Sequence, residues 1–97
     1  MAFVQIIEFR TAKIEAMRKI ADQWEEVTAG KRTAGRRILC QDRNNADRYF
    51  NIVFFDSYES AMENSNLPET QRLSAEMMSH AAGPPTFYDL DFIEDRG

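Results

Sequence analysis

Apolar residues change their period several times along the chain, and each change marks an element. Phe3 to Phe9 reads Phe-Val-Gln-Ile-Ile-Glu-Phe, dense in β-branched and aromatic residues, and predicts a first strand ending at Arg10-Thr11. From Ala12 to Ala29 the period lengthens. Ile14, Met17, Ile20, Ala21, Trp24 and Val27 recur at steps of three and four, the stripe of an amphipathic helix. Thr11 can cap its start with a hydroxyl, and Gly30 can stop it. After a basic loop, Arg36 to Asp42 predicts strand two around Ile38-Leu39-Cys40. Arg43 to Asp47 has the Asn and Asp of a turn. Arg48 to Phe55 is the strongest strand signal and closes a hairpin with strand two. Asp56 or Ser57 opens a short helix running through Met62 and Glu63, broken at Leu67-Pro68 because a residue preceding proline avoids the helical region. Pro68 suits the first position of a second helical segment, which reaches about Ala82 before Gly83-Pro84-Pro85. Thr86 to Ile93 predicts strand four, and no linker, repeat or low-complexity stretch interrupts the series.

The order β-α-β-β-α-β predicts an α+β domain of the ferredoxin-like, split βαβ type: an antiparallel sheet with helices on one face, in a single domain over residues 1–97. The strand pattern adds a constraint. Strand one carries Phe3, Ile7 and Phe9 on one face and Val4 and Ile6 on the other. Strand three carries Val53 and Phe55 on one face and Phe50, Ile52 and Phe54 on the other. Helices on one side leave the second apolar face bare, where a lone sheet would show polar residues. A second copy of the chain is the simplest cover, so the pattern predicts a homodimer.

Charge and cysteine content then exclude classes. The chain of 97 residues has net charge −4, which opposes nucleic-acid phosphates and anionic membranes. Its one cysteine, Cys40, cannot form an internal disulfide. Met1 to Arg10 lacks the basic leader and long apolar core of a signal peptide, and no apolar run is long enough to span a bilayer. The expected location is cytoplasmic.

The chain resembles the dimeric α/β-barrel superfamily, the group that includes antibiotic-biosynthesis-monooxygenase-like domains. The resemblance covers nearly the full length. It rests on the element order, on the turn Val53-Phe54-Phe55-Asp56-Ser57-Tyr58-Glu59-Ser60-Ala61-Met62, and on Asn64 to Gln71 and Gly83 to Phe87, which are similar to small bacterial members of the group. It implies a ligand space between sheet and helices and includes cofactor-free oxygenases among its members. The haem-degrading members differ at their working positions: Glu8 or its neighbours stand where they carry asparagine, Phe55 where they carry tryptophan, and Gln71 or Arg72 where they carry histidine. No haem, metal or other cofactor is expected.

The candidate ligand-binding residues are Tyr49, Asn51, Tyr88, His80 and Trp24. Tyr49, Asn51 and Tyr88, with Gln5, are polar or amphipathic residues within apolar strands, and a buried amide needs a partner. Tyr49 and Asn51 are two apart and must share a face. His80 is the only histidine and the only side chain that titrates near neutrality without a large shift; its ordinary reading is a half-exposed residue at a helix end. Trp24 lies on the helix-one stripe, as core or as a ligand wall. Cys40 reads as a buried small hydrophobe. Asp89 and Asp91 could hold a proton or cation, with a charged outer stripe as the ordinary reading, and the basic set Lys31, Arg32, Arg36 and Arg37 could bind an anion, with a solvated loop as the usual one.

Two function classes stay open: a cofactor-independent monooxygenase acting on an aromatic or polyketide-like compound, and a non-catalytic ligand-binding or regulatory dimer. An RNA-recognition module shares the element order, and Arg48, Phe50, Val53 and Phe55 fit its strand-three motif. Tyr49 and Asn51 are bulky where that motif needs small residues, which weighs against it.

Overall fold

A computed structural model describes residues 2–97; Met1 lies outside the described residues. Four strands, β1 (Phe3–Arg10), β2 (Arg37–Gln41), β3 (Arg48–Phe55) and β4 (Thr86–Asp91), form one antiparallel sheet in the order β2-β3-β1-β4. Helix α1 (Ile14–Val27) joins β1 to β2, and α2 (Tyr58–Ser65) and α3 (Pro68–Met78) join β3 to β4. This is the ferredoxin-like α+β arrangement that the hydrophobic periods predict. Among the described residues no helix is long and apolar enough to cross a membrane.

The element ends differ from expectation for local reasons. Thr11 does not cap α1: its hydroxyl accepts from the Lys13 amide at 2.9 Å in a turn before the helix, and α1 begins at Ile14 and not at Ala12, with Lys13 at its N-cap. Ser57 caps α2, accepting from the Ser60 amide at 3.0 Å. Pro68 occupies the first turn of α3, where its missing N–H costs nothing. Helix α3 stops at Met78, so His80 lies in the following turn. The strand ends at Asp91, two residues short of Ile93.

Register decides which side chains meet the helices. Phe3 pairs with Phe55, Gln5 with Val53, Ile7 with Asn51 and Phe9 with Tyr49 across β1 and β3; Arg37 and Leu39 of β2 continue the two middle rows. The core therefore has two separate parts. At one end Phe3, Val53 and Phe55 pack with Ala61 of α2. At the other, Phe9 stacks on Tyr49 with ring centroids 5.7 Å apart, against Met17 of α1 and the partly buried Met77 and Met78. The two rows between them carry Gln5, Asn51 and Arg37 as well as apolar residues.

The opposite face holds Val4, Ile6, Ile38, Phe50, Ile52 and Phe54 half-buried and Leu90 45 % exposed, the bare apolar surface the strand pattern predicts. Cys40 is on this face as well and is exposed, not buried, because β2 is an edge strand. Within that surface Arg48 donates to Glu8 and to Asp42, each at 2.9 Å, and the Tyr88 hydroxyl donates to Glu8 at 3.0 Å. The Arg48 and Tyr88 hydrogen bonds hold the Glu8 carboxyl below its ordinary range; the Asn44 amide and Arg48 do the same for Asp42. The same partners raise Arg48 and Tyr88.

Two outcomes follow from this packing. Leu73 of α3 is fully buried beside the gap between the two core clusters, where collapse onto a vacancy is limited. Leu73→Ala is expected to lose about 3–5 kcal/mol in urea denaturation. Carboxylates with depressed folded values stabilise the fold above the ordinary carboxyl range and lose that contribution as pH falls through the depressed values. The urea midpoint is expected to stay level from neutrality to about pH 5 and to fall below about pH 4. Arg48→Met is expected to flatten that acid limb.

Candidate functional site

The space between the two core clusters is a cavity of about 330 Å³ between the sheet and the helices. Its floor is the two middle rows of the sheet, Gln5, Ile7, Leu39, Asn51 and Val53 among them, and its roof comes from α1 and α3. The wall is mostly apolar with a few polar groups, the usual make-up of a small-molecule site.

Each polar group is placed by its element. Asn51 alternates into the helix face of β3, and its side-chain oxygen accepts from Arg37 Nη1 at 3.4 Å. Gln5 lies on the same face of β1 and donates to Asp89 of β4 at 3.1 Å. Trp24 lines the cavity from α1; its indole N–H donates to the Thr70 hydroxyl at 2.8 Å and ties α1 to α3 across the roof. The Arg32 guanidinium lies 5.5 Å from the Trp24 ring centroid, within cation–π range, and fixes the indole from outside. Asn64, near the C-terminal end of α2, is buried at 7 % exposure and lines the cavity, and its side-chain oxygen has no hydrogen-bond partner. A buried acceptor left unmade costs stability, so its presence at a cavity wall fits an occupant with a donor.

Of the five residues singled out from sequence, Asn51 and Trp24 meet in this cavity. Tyr49 shares the helix face of β3 with Asn51 but is packed under Phe9 and lines a shallower outer groove beside the cavity, its hydroxyl accepting from Gln41 at 3.3 Å. Tyr88 is on the other face of the sheet, bonded to Glu8, because it pairs with Ile6 and not with Ile7. His80 does not line the cavity; its backbone carbonyl accepts from the Thr11 hydroxyl at 2.7 Å and anchors the turn after α3. Asn64 and Thr70 are cavity residues that the sequence reading passed over, and Arg37 was singled out only as one of a basic set. For Arg37 a signal existed: it is two residues from Leu39 in the strand and so shares Leu39's face, a parity obscured by grouping it with the basic residues before it. For Asn64 none did, since a polar residue on a short helix is ordinarily solvated. Of the other basic residues of that segment, Lys31 and Arg32 are engaged locally. Lys31 pairs with Glu69 at 2.7 Å, drawing the Glu69 carboxyl below its ordinary range, and Arg32 donates to the Glu25 carbonyl. Among the described residues no group of three or more His, Cys, Asp or Glu side chains is placed to hold a metal ion.

No family model and no curated protein matches this sequence. Solved structures do match the fold. Rv0793 from Mycobacterium tuberculosis superposes with a TM-score of 0.80 at 13 % identity, covering 100 % of both chains. An antibiotic biosynthesis monooxygenase superposes at 0.75 with 15 % identity, over 97 % of this chain and 100 % of that one. A variant of SnoaB, a cofactor-independent oxygenase from Streptomyces nogalater, superposes at 0.81 with 8 % identity, over 97 % of this chain and 95 % of that one. Superposition over essentially the whole of each chain shows that this protein shares its fold with these structures.

Proposed function

We propose that the chain is a cytoplasmic homodimer whose cavity binds an aromatic or polyketide-like molecule, and that it acts on that molecule as a cofactor-independent monooxygenase. The observation that carries the reading is the cavity itself: an apolar space between sheet and helices with the unpartnered Asn64 oxygen and the Asn51 amide at its wall. The likeness in fold to SnoaB supports the chemistry. In such a reaction the substrate supplies the electrons. A ring CH₂ flanked by phenol-bearing rings becomes a carbonyl; one atom of O₂ enters it and the other leaves as water with the two hydrogens. The protein's part is to orient the electron-rich ring and to stabilise charge on its oxygen, a role for the Asn51 amide at the cavity wall.

A second reading has its own support. Among the described residues the cavity wall holds no carboxylate and no imidazole, so no general base faces the ligand. A ligand-binding dimer without chemistry needs none. Dithranol, a dihydroxyanthrone, separates the two. Oxygen uptake with quinone formation, above the protein-free rate, is expected of the monooxygenase; a thermal shift without oxygen uptake supports the binding dimer instead. Asn51→Leu is expected to lower kcat/KM about tenfold or more. Asn64→Leu removes a buried unpaired acceptor, so its melting temperature is expected to equal or exceed wild type while dithranol binding weakens.

The homodimer reading rests on the bare apolar face. Ile6, Ile38 and Ile52 form one cross-strand row at its centre, and on β4 Leu90 is 45 % exposed. Light scattering is expected to give twice the 11.2 kDa chain mass. Ile52→Asp is expected to give a folded monomer, because a charge at that row is tolerated in water and not in a seam.

A further inference from the structure

The protein is acidic overall, with 16 acidic residues against 12 basic ones, yet the cavity wall has the opposite sign. Among the described residues the only charged side chains lining it are Arg18 and Arg37. Arg18 is at the rim, exposed and paired with Glu15 at 3.2 Å. Arg37 is different: its side chain is only 27 % exposed and its partners are poor. Nη2 lies 3.6 Å from Glu25, beyond hydrogen-bond distance, and Nη1 lies 3.4 Å from the Asn51 oxygen, at the long limit. Glu25 is half exposed and does not line the cavity. The outer groove beyond Arg37 does carry Glu15 and Asp22, so the positive sign belongs to the inner space alone.

A guanidinium taken largely out of water normally meets a carboxylate in a two-point hydrogen bond. Arg37 has no such contact, although it stands where the apolar floor of Leu39 and Val53 begins. Resting on the reading of this cavity as a binding site, we propose that its ligand is an aromatic carboxylate and that Arg37 is the specificity-determining residue that binds the carboxylate. The ring lies over Leu39, Val53 and Ile7, the carboxylate faces Arg37 on the β2 side, and the Asn51 amide N–H₂, whose oxygen is turned to Arg37, is free to donate to the same group. Glu25 then competes with the ligand for Arg37 and keeps its charge from being wholly uncompensated in the empty site.

The test is a pair of probes of one shape, 2-naphthoate and the uncharged 2-naphthol, titrated calorimetrically at pH 7. Wild type is expected to bind 2-naphthoate about tenfold more tightly, as one charge-assisted contact allows. Arg37→Met is expected to erase that preference. Glu25→Gln is expected to tighten 2-naphthoate about threefold, a gain that a misfolded variant cannot give. Equal affinity of wild type for the two probes, a preference that survives Arg37→Met, or unchanged 2-naphthoate binding in Glu25→Gln would overturn the assignment of Arg37 while leaving the cavity a binding site. Binding of neither probe would overturn the reading of the cavity as an aromatic site, and this inference with it.

Discussion

The helices of this protein rest on the two ends of the sheet, and everything at the candidate site depends on that. Aromatic side chains stand at both ends, Phe3 with Phe55 and Phe9 with Tyr49, and hold the helical layer off the strands. Between them the residues are shorter or polar, and the layer cannot sink to meet them without compressing rings that are already in contact. Two fastenings fix the span. Thr11, 2 % exposed, receives the Lys13 amide, donates to the His80 carbonyl and gives its own amide to the Asp47 carbonyl, so it locks the end of β1, the start of α1, the β2–β3 hairpin and the end of α3 together. The Trp24–Thr70 hydrogen bond joins the two helices above the gap. An interior packed as densely as a crystal leaves few voids by accident; this one is held open by its supports.

The sheet divides chemistry between its faces. Alternation sends Gln5, Asn51 and Arg37 toward the helices and Glu8, Arg48 and Tyr88 away from them. The second set is fully paired: Glu8 takes both Arg48 and Tyr88, and Arg48 also takes Asp42. The first set is less well paired, with the Arg37 cation at the limit of contact, and Asn64 of α2 adds an unmade acceptor to the space above it. Satisfied polar groups can be covered by another apolar surface at modest cost, whereas unsatisfied ones invite a partner. The contrast separates a face suited to assembly from a space suited to a ligand.

The parts of this architecture that were legible in the sequence are those set by local pattern. Strand and helix order, the Leu67-Pro68 break, the two-sided apolar strands and the shared fate of Tyr49 and Asn51 all follow from period and from proline geometry. What was not legible depends on pairing between distant strands. Tyr88 differs from Phe87 only by one step along β4, and that step is decided by its register with β1, eighty residues away in the chain. His80 fell outside α3 because Met78 ends the helix before it, and the Thr11 hydroxyl claims its carbonyl. Asn64 was hidden by the phase of an eight-residue helix, too short for its buried side to be read from periodicity.

Arg37 shows how a site can be carried by a residue that looks generic. In sequence it belongs to a run of basic residues, and three of its neighbours in that run behave as surface charges do: Lys31 holds Glu69, Arg32 caps the end of α1 and covers Trp24, and Arg36 is exposed. Strand β2 begins at Arg37, so the pleat turns this one side chain under the helices. Once there, its charge acts in a space walled by Leu39, Val53 and Met17, where screening by water is weaker than on the outer surface. The chain's acidic surplus lies elsewhere and does not line that space. A protein that repels anions at long range can therefore attract one at short range, through a single guanidinium and the amide beside it.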